Sequence, residues 1–168
     1  MENTTTNFQQ EQKPVQYAGF WWRFLAYLID NIIISTVMWI LLIPVFAIFG
    51  ISMYSLQQSG ANLDNDPAFI GSIVLGYSMV GILSLVGTWL YYALMESSKH
   101  QGTLGKMALK IKVTDYEGNR VNFGQATGRY FGKIISGIIL MIGYIMAGFT
   151  EKKQALHDIM ASCYVIKE

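Results

Sequence analysis

The sequence predicts an all-α integral membrane protein with two full transmembrane helices, a third short apolar segment and a small cytoplasmic β element. Three observations predict it. Of 168 residues, 52% are hydrophobic and only 14% are charged. A soluble globular domain carries about 25% charged residues, so this chain lacks the usual supply for a water-facing surface. No Lys or Arg occurs between Arg23 and Lys99. That interval holds two apolar stretches, each at or above the ~20 residues that a spanning helix needs.

The same figures exclude other classes. A net charge of +1 gives no basic field for nucleic acid. The single cysteine, Cys163, forms neither an internal disulfide nor a thiolate metal site. The apolar content excludes a disordered chain.

Residues 1–16 are polar and low in complexity, and lack the charged start and apolar core of a signal peptide. They read as a disordered tail, and residues 17–168 as the membrane domain. The domain opens on YAGFWWR, where Tyr17, Phe20, Trp21 and Trp22 beside Arg23 form an interfacial aromatic anchor. The first span runs from about Phe24 to Ile51. Residues Ser52 to Pro67, rich in Ser, Gln, Asn, Asp and Gly, read as a solvent loop. The second span runs from about Phe69 to Met95. Along it Tyr77, Gly81, Ser84, Thr88 and Tyr91 recur at helical spacing, a small and polar stripe suited to packing on the first helix.

The segment after Glu96 is basic. In LGKMALKIKVTD the residues Ile111 and Val113 alternate with Lys110, Lys112 and Thr114. Tyr116-Glu117-Gly118-Asn119 supplies a turn, and Arg120 to Phe123 alternates again, which predicts a β-hairpin. Ser162 to Ile166 is strand-like and is available to extend it. The third apolar stretch, about Ile134 to Phe149, either crosses once or enters, turns near Gly143 and returns. It is too short for two crossings, which need ~40 residues.

Basic residues set orientation. They occur at Lys13 and Arg23, are absent from Ser52–Pro67, return between Lys99 and Arg129, and close the chain as Lys152, Lys153 and Lys167. The N-terminus is expected inside a bacterial inner membrane. The tail's lysines also favour the inside, which agrees with re-entry of the third segment.

Several motifs carry chemistry. Asp30, among Leu28, Ile29, Ile32, Ile33 and Ile34, is the candidate ion or proton site, because intramembrane acids mark ion pathways. Arg23 lies seven residues away on the same helical face, ~10 Å along the axis, and brackets the same stripe. The plainer alternative is a structural role in holding the first helix to another segment. Gly102-Thr103-Leu104-Gly105-Lys106 lacks the spacing of a phosphate loop. Thr103 reads instead as a helix cap, with Lys106 near lipid phosphates. His157-Asp158 lacks the context of a metal or catalytic pair. Asp158 reads as the anchor of a short helix, Gln154 to Ala161, to basic residues of the inner segment. No enzyme and no cofactor are expected.

The stretches AGFWWRFLAYLID, ESSKHQGTLGKMALKIKVTDYEGNRVNFGQATGRYFGK and QALHDIMASCYVIKE together resemble the RDD family of small membrane proteins, named for one arginine and two aspartates. By motif position these are Arg23, Asp30 and Asp158. Many members carry a further acid where this chain has Asn31, which weighs against a mechanism needing paired acids there. Members often have Gly-Thr where this chain has Ser162-Cys163. The resemblance implies a multi-pass membrane protein with transport among its suggested roles, cation/proton exchange included. The expected function is exchange of a monovalent cation for a proton at Asp30. The alternative is a non-transporting scaffold or assembly partner. The expected partners are the lipid bilayer, a monovalent cation and a proton, and further copies of the chain, since so few helices cannot enclose a polar path.

Overall fold

The computed structural model describes residues 15–60, 66–139 and 142–168. The tail expected over 1–16 falls largely outside them, at 1–14. Six helices and two strands follow in the order α1 (Phe20–Gln58), α2 (Pro67–Ser97), α3 (Leu104–Ala108), β1 (Ile111–Asp115), α4 (Phe123–Ile138), α5 (Ile142–Phe149), α6 (Leu156–Met160) and β2 (Cys163–Lys167).

Both long helices are apolar enough to cross a membrane. At 39 residues, α1 is ~58 Å long by helix rise, well beyond the ~30 Å hydrocarbon core. The solvent loop expected from Ser52 is therefore shorter, because α1 continues helical to Gln58. Serine and threonine hydroxyls within the spans bond their own helix. Thr36 donates to the Ile32 carbonyl at 2.8 Å, and Ser78 to Val74 at 2.7 Å. In lipid such self-satisfaction removes the cost of a bare polar group. The outer parts of α1 and α2 present Trp39, Ile40, Ile48, Leu75 and Leu83 outward, as spans facing hydrocarbon must.

The packed core lies at one end of the spans. Ala18, Ala26, Ala93, Ile111, Val113, Val121, Ala126, Ala161, Cys163 and Val165 form it, with Trp89 and Leu109 against its edge. The helix that packs most on α2 is α4 rather than α1. The expected role of the Tyr77–Tyr91 stripe changes accordingly. A side chain at Gly81 would meet open space, and Ser84 bonds its own helix at Val80. The stripe's ends meet α1: Tyr77 lines a groove with Leu42, Val45, Phe46 and Phe49, and Tyr91 bonds Asp30.

Strand β1 pairs antiparallel with β2, Val113 opposite Val165 and Ile111 opposite Lys167. The hairpin expectation needs correction. The turn forms, with the Asp115 carboxylate accepting from Glu117 N at 2.9 Å and Asn119 N at 2.7 Å, and with Gly118 at φ 85°. The return arm makes a single bridge, Thr114 to Arg120. Asn122 then leaves the sheet to cap α4. Its side chain accepts from Gln125 N at 2.8 Å, and the Gln125 side chain accepts from Asn122 N at 3.0 Å. This reciprocal cap satisfies two helix-end amides, more than a short edge pairing would.

The N-terminal flank supplies the other neighbour of β2. Ala18 N donates to Val165 O at 2.8 Å, and Lys167 N donates to Gln16 O at 2.8 Å. The start of the membrane domain and the end of the chain thus lie together. Because β1 and β2 flank it and are paired, the third apolar segment begins and ends on one face. Helices α4 and α5 are bent by 103°, across a break that includes residues 140–141, outside the described set. The bent pair is a broken span or a re-entrant loop, and the pairing of the strands that flank it favours re-entry. Gly143, the expected turning point, lies within α5, where a side chain would sit 2.7 Å from Ser136 Cβ.

Candidate functional site

Two polar clusters occupy the cored end of the spans. The first is built on Asp30. One helical turn separates it from Ala26, and both are buried on one face of α1. Helix α3 lies directly on that face. A Cβ at Gly105 would stand 2.1 Å from the Ala26 carbonyl oxygen and 3.0 Å from Asp30 Cγ, so only glycine permits the approach. The Asp30 carboxylate accepts three bonds: at Oδ1 from the Tyr91 hydroxyl (2.9 Å) and Gly105 N (2.8 Å), and at Oδ2 from the Thr103 hydroxyl (2.5 Å). Tyr91 in turn accepts from Leu104 N at 3.1 Å. Asp30 is 1% exposed. Four side-chain oxygens from α1, α2 and the start of α3 therefore converge in a dry setting.

Thr103 stands at the cap position of α3 but makes no side-chain cap bond. Its hydroxyl turns to Asp30 instead, and Asp30 takes an amide of the α3 first turn from a different helix. The capping expectation is corrected in that sense: the cap is supplied across the fold.

The second cluster gathers Arg23, Glu96, Lys106, Arg129, Lys133 and Asp158. Glu96 Oε1 lies 2.5 Å from Lys106 Nζ and 3.5 Å from Lys133 Nζ, and its Oε2 lies 3.0 Å from Arg129. Arg129 Nε reaches Asp158 Oδ1 at 2.8 Å. Asp158 Oδ2 accepts from Arg23 and, at 3.0 Å, from Ala155 N. Arg23 also donates to the carbonyls of Ala18 (2.8 Å) and Lys153 (2.5 Å). Five helices, α1, α2, α3, α4 and α6, are tied by this network.

Burial alone would raise the Asp158 carboxyl, but Arg129 and Arg23 outweigh it and hold the group well below the ordinary carboxylate range. Burial brings Lys106 down to about 7, with Arg129 and Lys133 adding to the effect against the pull of Glu96. Burial takes His157 down to about 3, against the attraction of Asp158 and with Arg129, Lys133 and Arg23 adding to the lowering. His157 Nδ1 lies 3.3 Å from the Ser136 hydroxyl.

Among the sequence candidates, Arg23 and Asp30 are placed in different clusters. The Arg23 guanidinium turns to Asp158, which anchors α6 to α4 and α1. Lys106 is corrected from an expected lipid-phosphate neighbour to a buried partner of Glu96, 6% exposed. Sequence reading missed Tyr91 and Thr103 as partners of Asp30, and Glu96 as the shared partner of Lys106, Arg129 and Lys133. One signal was available on α4. Ala126, Arg129, Gly132 and Ser136 recur at helical spacing and form its buried face, which places an arginine where an apolar residue is usual. Among the described residues, no group of three or more His, Cys, Asp or Glu could hold a metal ion.

Comparison with known proteins agrees with this architecture. The model of the RDD family matches residues 17–162, and the chain belongs to that family. "Uncharacterized protein YxaI" of Bacillus subtilis (strain 168) is 41% identical over 155 residues, covering 92% of this chain and 98% of the relative. "Uncharacterized membrane protein YteJ" of the same organism is 30% identical over 158 residues, covering 90% and 82% respectively. No solved structure matches the chain with significance.

Proposed function

We propose that this RDD membrane protein exchanges a monovalent cation for a proton, with Asp30 as the cation-binding carboxylate. The observation that carries the reading is the convergence of Asp30 Oδ1 and Oδ2, Tyr91 OH and Thr103 Oγ1 at the inner end of the first span. Alkali cations are hard ions that take oxygen ligands. The two hydroxyls, which now donate to the carboxylate, also have lone pairs to offer a cation. Arg23 is engaged by Asp158 and leaves Asp30 without an arginine partner. An ionisable residue in this position is a functional candidate by default. The chain sits in an inner membrane with both ends inside, as its basic residues favour.

The test is ion flux in liposomes containing the purified protein and a pH-sensitive dye. Asp30→Asn keeps the shape and removes the charge, so cation-driven proton movement should fall at least tenfold with insertion intact. Asp30→Glu should retain part of it. Normal flux in Asp30→Asn would overturn the assignment.

A second reading, a non-transporting scaffold, is favoured by the closed network of Arg23, Glu96, Arg129 and Asp158, which spends its charges on joining elements. Failure of Asp30→Asn to accumulate, with no flux from the unmodified protein, would support this reading.

A further inference from the structure

We propose that Lys106 is the proton-carrying group of the exchange, coupled to Asp30 through helix α3. The inference rests on the reading of Asp30 as the cation site and adds the residue that releases the proton. Lys106 is buried and faces Glu96 from α2, together with Arg129 and Lys133 from α4. Across α3 lies Asp30 of α1, and Cys163 of β2 is close enough to interact electrostatically with Lys106 and Arg129. Within the network four cations, Arg23, Lys106, Arg129 and Lys133, share two carboxylates, Glu96 and Asp158. A dry cluster with excess positive charge favours loss of a proton. An arginine cannot supply it, but a lysine can. Lys106 is the more deeply buried of the two lysines. Its ordinary value of 10.5 is brought down to about 7, which fits the geometry.

The coupling is covalent and short. Lys106 follows Gly105, whose amide is bonded to Asp30 Oδ1, and Thr103 bonds Oδ2. The charged ammonium, 2.5 Å from Glu96 Oε1, pulls α3 toward α2 and seats its donors on the carboxylate of Asp30. When Lys106 gives its proton to water at the inner surface, that pull is lost. Helix α3 then loosens and the Asp30 oxygens open to a cation. One positive charge leaves as another arrives, so the exchange is electroneutral. The charged form of Lys106 therefore excludes the cation and the neutral form admits it.

The experiment uses the full chain in liposomes with radioactive sodium as the probe and a dye reporting protons. In the unmodified protein, sodium uptake should rise about tenfold from pH 6 to pH 8, as one group titrating near neutrality requires. Lys106→Met leaves Glu96 with Arg129 and Lys133. It should take up sodium without proton movement and with less than a twofold change over that range. Lys106→Arg, which cannot lose its charge, should show no exchange. Coupled, pH-dependent exchange in Lys106→Met would overturn the inference while leaving Asp30 as the cation site. Absence of sodium uptake by the unmodified protein would overturn both. A measurement independent of transport and of any variant's folding is the nitrogen-15 titration of lysine Nζ in nanodiscs. One buried lysine titrating near neutrality is expected, and titration of every lysine near 10.5 would overturn the inference.

Discussion

His157 packs against Tyr144, with ring centroids 5.2 Å apart, and has Arg129, Lys133, Arg23 and Asp158 as its charged neighbours. Its value falls from 6.5 to about 3 on folding, so between those limits the unfolded chain binds more protons than the folded one. Stability is then lost as pH falls below about 6.5 and the loss stops near 3. Asp158, held low, keeps its contribution until still stronger acid. The slope is about 1.4 kcal/mol per pH unit, so acidification to pH 5 should cost on the order of 2 kcal/mol. Thermal melting in detergent at pH 7 and pH 5 checks this, and His157→Gln should flatten the difference. An equal acid loss in that variant would show that another group titrates. At this scale the family residues Arg23, Asp30 and Asp158 were legible as motif positions, but their partners were not. Arg23 shares a helical face with Asp30 yet bonds Asp158, because a long guanidinium side chain reaches whichever buried carboxylate the fold brings nearest.

Gly105 decides how the elements α1 and α3 meet. The carbonyl it would strike belongs to the helix backbone and cannot move aside as a flexible side chain can. Gly105→Ala should therefore lift α3 from α1, break the Gly105–Asp30 bond and cost ~1–3 kcal/mol or more, as overpacking does. Gly81→Ala, which meets nothing within 4 Å, is the control and should melt like the unmodified protein. An unchanged melting temperature for Gly105→Ala would contradict the close approach. The hairpin expectation failed at this scale for a definable reason. Four alternating residues, Arg120 to Phe123, are a weaker signal than Asn122 followed three residues later by Gln125, a pair able to cap a helix reciprocally. The long spans were legible because apolar runs of that length have few alternatives.

Over the whole molecule, the bond from Lys167 N to Gln16 O and the pairing of β1 with β2 place both ends of the described chain on one face. With that face inside, Lys167→Cys in intact cells should resist a membrane-impermeant thiol reagent and react after permeabilisation, whereas Ser59→Cys should react at once. Labelling of Lys167→Cys in intact cells would reverse the orientation. Among the described residues, the parts of α1 and α2 away from the packed core expose apolar faces, so an exchanger built from this fold is expected to need further copies to enclose a polar path. Crosslinking in native membranes should give a dimer or larger species, and full flux from a strict monomer would refute this. The membrane class, the two spans and the strand at Ile111–Asp115 were legible in the sequence alone, because each is a sum over neighbouring residues: hydropathy, charge and alternation. The bend of the third segment, the cage around Asp30 and the shared carboxylate of Glu96 were decided only by tertiary structure. Their contacts join residues as far apart as 135 positions for Arg23 and Asp158 and 73 for Asp30 and Thr103. No local spacing encodes which distant cation a buried acid will meet, since that depends on how the whole chain packs.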